Sequence, residues 1–157
     1  MKLHDKFPAS GRIKIELRYA DKTVPYYEED NLIVLVPRQN LLAMLYLPGR
    51  TSDPITTLQV GTGGAIDPAG AFPRPVTKSI SALFNSTITL PVTYTVDNTA
   101  PTVTFIADVA ESQGNGTLID EAGLFTAAGT MFNIKTFPGI PKTSQFSIHI
   151  QWMIDFS

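Results

Sequence analysis

Gln145-Phe146-Ser147-Ile148-His149-Ile150-Gln151-Trp152-Met153-Ile154-Asp155-Phe156 alternates between large apolar side chains and, Met153 excepted, polar ones. Successive side chains of a strand point to opposite faces. A period of two held over this stretch therefore predicts one long strand, with Phe146, Ile148, Ile150, Trp152, Ile154 and Phe156 turned to a core. A helix would scatter the same residues around its circumference and give no apolar face.

The same pattern recurs outward from this strand. Ile13, Ile15, Leu17 and Tyr19 alternate with Lys14, Glu16 and Arg18, and Leu90, Val92, Tyr94 and Val96 alternate with Thr89, Thr93, Thr95 and Asp97. One face apolar and one polar is the signature of half-buried antiparallel strands. Residues 101–109 and 130–137 are rich in Thr, Val, Ile and Phe and read as two more. Gly114-Asn115-Gly116 and Ala127-Ala128-Gly129 supply turns between them, because glycine takes positive φ at little steric cost.

One segment reads as a helix. Residues 38–47 follow Pro37, stop at Pro48-Gly49, and place Leu41, Leu42, Leu45 and Tyr46 on one face. Residues 31–36, with Ile33, Val34 and Val36, read as a short buried strand before it. The loop at 62–75 is the least regular stretch, and long loops in compact domains are either functional or poorly ordered. The expected architecture is all-β: an antiparallel β-sandwich or jelly-roll-like domain over 11–157 with one short helix, preceded by an arm at 1–10.

Composition narrows the function classes. The chain has 157 residues, 43% of them hydrophobic, enough for one packed core. A net charge of −2 leaves no basic surplus for a phosphate backbone, so nucleic acid is not an expected partner. Cysteine is absent, which removes disulfides, thiolate nucleophiles and the common structural zinc sites. No apolar run reaches the ~18 residues of a membrane span, and the expectation is a soluble chain made in a cytoplasm, with no membrane partner.

Motifs that carry chemistry fall short of their requirements. Gly61-Thr62-Gly63-Gly64 lacks the third glycine and following helix of a dinucleotide fingerprint, and no Lys-Ser or Lys-Thr pair stands at P-loop spacing from it; it reads as a strand end entering a flexible turn. His4 lies at the terminus and His149 on the polar face of the last strand, with no nucleophile elbow in the chain. Glu28-Glu29-Asp30 and Asp120-Glu121 both read as solvated, turn-forming acidic patches and lack the spacing of a calcium loop. Asp120-Glu121 lies between Leu118-Ile119 and Leu124-Phe125, so if buried it needs a hydrogen-bonding or cationic partner. Trp152 sits in core register, which favours packing over sugar stacking. No catalytic residue, metal ligand or cofactor is assigned.

Several segments together resemble a group of small tailed-bacteriophage virion proteins found among tail, baseplate, collar and fibre components. They are Asn31-Leu32-Ile33-Val34, Leu58-Gln59-Val60-Gly61-Thr62-Gly63, Thr117-Leu118-Ile119-Asp120-Glu121-Ala122-Gly123-Leu124-Phe125, and Lys135-Thr136-Phe137-Pro138-Gly139-Ile140-Pro141-Lys142-Thr143 with Gln151-Trp152-Met153-Ile154-Asp155-Phe156. The resemblance runs from about Gly11 onward and implies a β-sandwich building block without catalytic residues. It implies a homo-oligomer that contacts other virion proteins, located in the virion and assembled in the host bacterial cytoplasm. Glu121, Gly123, Leu124, Phe125 and Trp152 are its expected architectural residues, with Gly123 allowing close backbone approach or a bulge. No fibre shaft or receptor-binding tip follows the last strand, which favours an adaptor, collar or decoration role.

The expected subunit contacts are Phe7 and Pro8 in the arm and Ile66, Phe72, Pro73 and Pro75 in the irregular loop, since such segments order on binding. Two other roles fit the same features: a capsid decoration protein, or a host-glycan-binding module stacking sugars on Trp152, Tyr19, Tyr26 or Tyr27.

Overall fold

The computed structural model describes residues 10–33, 52–97 and 99–155. The segment expected to be helical at 38–47, and the residues Phe7, Pro8 and Phe156, lie outside this set. Nine strands account for most of what is described: β1 (Ser10–Tyr19), β2 (Thr23–Ile33), β3 (Ile55–Gly61), β4 (Ser86–Pro91), β5 (Thr93–Asp97), β6 (Thr102–Val109), β7 (Leu118–Thr126), β8 (Met131–Pro141) and β9 (Phe146–Asp155). All pair antiparallel, and the chain is all-β among the described residues.

The sheet order β4-β3-β7-β8-β2-β1-β9-β6-β5 puts β4 and β5 at opposite ends of the row, yet only Val92 separates them in the chain. A flat row of this width would hold its edge strands roughly 38 Å apart, whereas one intervening residue spans about 7 Å. The sheet therefore folds over on itself into a flattened, nearly closed barrel. Two of the crossings between layers are tight corners. One is the break at Pro91-Val92, where proline has no N–H for the ladder. The other is β2, whose first part pairs with β1 while Leu32 and Ile33 pair with β8.

The interior receives the alternating residues. Ile13, Ile15 and Leu17 of β1 and Ile148, Ile150, Trp152 and Ile154 of β9 pack with Leu58, Val60, Leu124, Phe137 and Ile140 from the other layer in one core. The Trp152 indole N–H donates to Asn31 Oδ1 at 2.7 Å, so its one polar atom is satisfied inside that core. Like β8 over 131–134, β7 is buried on both faces, from Ile119 to Thr126. Its outer side meets a second cluster, in which Phe125, Met131 and Ile134 pack with Leu83, Val76 and Ile80.

Two sequence expectations need correction. Glu28-Glu29-Asp30 is solvated but forms no turn; it lies within β2, where Arg12 pairs with Glu28 at 3.0 Å and Asp30 at 3.2 Å, and Lys135 with Glu29 at 2.9 Å. Cross-strand cations hold the acidic run extended. Leu90, Val92, Tyr94 and Val96 do not share a buried face: Leu90 is in the core, but Tyr94 and Val96 are 67% and 56% exposed. The layer change between β4 and β5 carries the second half of this segment out to an edge.

Away from the β2 corner, within the part of β2 paired with β1, the partners of Ile15 and Glu16 jump from Tyr27 to Pro25, leaving Tyr26 as the extra residue of a bulge. The Tyr26 hydroxyl lies 2.8 Å from the carbonyl oxygens of both Pro138 and Gly139. Tyr27 packs on Phe137 and donates to Glu29 at 2.7 Å. Burial raises both phenol pKa values, with the Glu29 carboxylate adding to the effect on Tyr27. A raised folded pKa means that stability is present in full below the ordinary phenol value of 10.0 and is lost as pH climbs from there towards the folded value. Urea midpoints are thus expected to fall above about pH 10, and less steeply in Tyr27→Phe. An equally steep fall in the variant would show that Tyr27 plays no part.

Candidate functional site

The glycines at the end of β3 exist because two carboxylates need the backbone close. Gly63 N–H and Asn85 N–H donate to Glu121 Oε1 at 3.1 and 2.7 Å, and Phe84 N–H donates to Glu121 Oε2 at 2.8 Å. Gly64 N–H donates to Asp120 Oδ1 at 2.7 Å. A Cβ on Gly61 would fall 2.4 Å from Glu121 Oε1, and one on Gly64 would fall 2.1 Å from the Asp120 carbonyl oxygen, so no larger residue fits either place. The reading of Asp120-Glu121 as a solvated turn is thereby corrected: both carboxylates are buried within β7, and backbone amides are the partners that burial requires. Burial pushes the Asp120 carboxyl up from its ordinary value, against the Gly64 hydrogen bond, which draws it down. The Gly61-Thr62-Gly63-Gly64 turn is a fixed clasp around these carboxylates rather than a flexible exit.

Beyond the clasp the loop builds a small hairpin. Ala65 bridges Pro73, Ile66 N–H donates to the Phe72 carbonyl at 2.8 Å, and the Asp67 carboxylate accepts from Phe72 N–H at 3.0 Å. Gly70 closes the turn at φ 71°, a left-handed conformation that favours glycine. The hairpin is docked on β8: Gly139 N–H donates to the Gly70 carbonyl at 2.8 Å, and Thr136 Oγ1 to the Arg74 carbonyl at 2.6 Å. Arg74 lies over the Phe84 ring at 4.3 Å.

Ile66 and Phe72 stand at this tip, 65% and 66% exposed, with Pro73 and Pro75 also exposed beside them. Four of the six expected contact residues are thereby gathered on one anchored projection. Of the architectural residues, Glu121 forms the clasp, while Leu124 and Phe125 fill the inner and outer cores. A Cβ on Gly123 would lie 2.8 Å from the Asn133 carbonyl oxygen, so this glycine does serve close backbone approach.

The residues weighed for chemistry are otherwise engaged. Trp152 is fully buried and offers no face to a sugar. Tyr19 packs on Phe146, and Tyr26 and Tyr27, at the β2 bulge, reach the Pro138 carbonyl and the Phe137 ring. His149 is oriented by a partner that sequence proximity did not reveal: Nδ1 lies 2.7 Å from Asp108 Oδ1, and Glu16 sits opposite it on β1. Only strand pairing joins β9 to β6, so Asp108 carried no signal in the sequence. Among the described residues no cluster of three or more His, Asp or Glu could hold a metal ion, and no helix is long and apolar enough to cross a membrane.

Fold and surface together define the class: an all-β antiparallel barrel-like domain presenting an anchored apolar tip. Comparison with protein-family models, curated proteins and solved structures finds no match for the chain.

Proposed function

We propose that this chain is a non-enzymatic structural component of a tailed-phage virion. It works in the tail, baseplate, neck or fibre-attachment region through self-association and contacts with other virion proteins. The observation that carries the reading is the Ile66–Phe72 tip: two large apolar side chains held out to solvent on a hairpin whose base is tied to buried carboxylates. A contact that is already ordered avoids the entropic cost of ordering on binding, and apolar anchors of this kind are where binding energy concentrates. The resemblance of the Glu121-Ala122-Gly123-Leu124-Phe125 region to phage virion proteins supports the same reading, since that segment holds the tip in place.

The test combines Ile66→Asp and Phe72→Asp in particles assembled from a genome carrying the chain. Both side chains are exposed, so the isolated double variant is expected to keep its stability within about 0.5 kcal/mol. Its incorporation into particles is expected to fall at least about tenfold, the equivalent of about 1.4 kcal/mol. Normal incorporation would remove the tip from the assembly. Labelled copies spread over the icosahedral shell would replace the axial location with capsid decoration.

A further inference from the structure

We propose that β5 is the seam of a symmetric dimer, in which β5 of a second copy adds antiparallel to its free edge with Thr95 on the two-fold axis. The inference rests on the self-association reading above and names its interface.

Among the described residues β5 is paired with β6 alone, in an unbroken register from Thr93 to Asp97, and all five of its residues are exposed. Sheet edges are ordinarily protected by lysines, prolines, bulges or a covering segment. The other edge strand, β4, ends at Pro91 and has a register shift in its pairing with β3. By contrast, β5 is regular, contains no lysine, arginine or proline, and presents Tyr94 and Val96 to solvent.

Its sequence is complementary to itself. With Thr95 opposite Thr95, each Tyr94 faces the other copy's Val96 on the same side of the sheet. These aromatic–β-branched and Thr–Thr pairs are among the favourable cross-strand combinations. The apolar row already runs from Phe105 to Tyr94, 6.5 Å apart, and from Val103 to Val96, so the second copy extends it across the axis. Charge does not oppose the contact. Asp97, the only ionised residue of β5, accepts from Thr99 N and Oγ1 at 2.7 and 2.6 Å. In this register it faces Thr93 of the other copy, and the two Asp97 residues sit ~13 Å apart, beyond the ~8 Å screening length at physiological salt. A five-residue strand pair covers less than the ~1,200 Å² of a stable complex, so the dimer is a weak one that gains strength in a multivalent particle.

The chain has no cysteine, which makes the geometry directly readable. Opposed residues of an antiparallel pair have Cα atoms about 4.5–5.5 Å apart, within disulfide range, so Thr95→Cys is expected to give a covalent dimer under mild oxidation. Thr93→Cys, displaced ~13 Å from its counterpart, is expected to do so at least about tenfold more slowly. By sedimentation equilibrium, Tyr94→Lys with Val96→Lys is expected to raise the dimer dissociation constant at least about tenfold. If Thr95→Cys cross-links no faster than Thr93→Cys, and the lysine variant self-associates like the parent, the seam is elsewhere and self-association stands. A parent chain that stays monomeric at every concentration, with no preferential cross-link, overturns both.

Discussion

Replacing Glu121 by alanine is expected to cost about 3–5 kcal/mol of folding stability, because it removes a buried carboxylate that three backbone donors share. The carboxylate is fully buried and accepts from the backbone N–H groups of Gly63, Phe84 and Asn85, all from the loop that covers the outer face of β7. The three hydrogen bonds are part-buried, and an amide orphaned there costs about 1–3 kcal/mol. Glu121→Gln keeps one acceptor oxygen for the Gly63 and Asn85 amides but turns an NH₂ towards Phe84 N–H, so a smaller loss of about 1–3 kcal/mol is expected. Urea unfolding measures both, and amide exchange at Gly63, Phe84 and Asn85 should accelerate in the alanine variant. A Glu121→Ala protein within about 1 kcal/mol of the parent would mean that the clasp does not hold the loop. The consequence for function is direct, since the Ile66–Phe72 tip is positioned by the same loop.

Trp152→Ala is expected to cost about 3–5 kcal/mol, a large share of the roughly 5–15 kcal/mol that holds a domain of this size. The indole is buried in the middle of β9, between Ile13 of β1 and Phe105 of β6, and its N–H satisfies Asn31 Oδ1. Alanine leaves both a cavity and an unpaired amide oxygen at the end of β2. Trp152→Phe retains most of the volume and loses the hydrogen bond, for about 1–3 kcal/mol. Circular dichroism reads the denaturation, because the chain's one tryptophan is lost. A loss below about 1 kcal/mol for the alanine variant would place Trp152 outside the cooperative core.

Legibility in the sequence followed burial asymmetry. β9 and β1 were readable because each sends one face to the barrel interior and the other to water, which writes a period of two into the residues. β2 was missed over most of its length because the bulge at Tyr26 and the charged run at Glu28-Glu29-Asp30 interrupt that period. β5 was readable as a strand but not as an edge. Its alternation matches that of a buried strand, and only the Pro91-Val92 corner decides that Tyr94 and Val96 face solvent. Within the candidate site, Asp120 and Glu121 stood out as carboxylates among apolar neighbours, whereas their partners were invisible, since a backbone N–H leaves no mark on residue identity.

By itself, then, the sequence determined that this is an antiparallel β protein, which strands face a core, and where glycines turn or admit close approach. Those are local properties, set by side-chain alternation and allowed φ. Tertiary structure alone decided that the row of strands closes on itself, that His149 meets Asp108, and that the irregular loop is clamped with its apolar tip outward. Each of these depends on which distant segments become neighbours when the sheet folds over, and strand pairing fixes that over separations that no local pattern encodes.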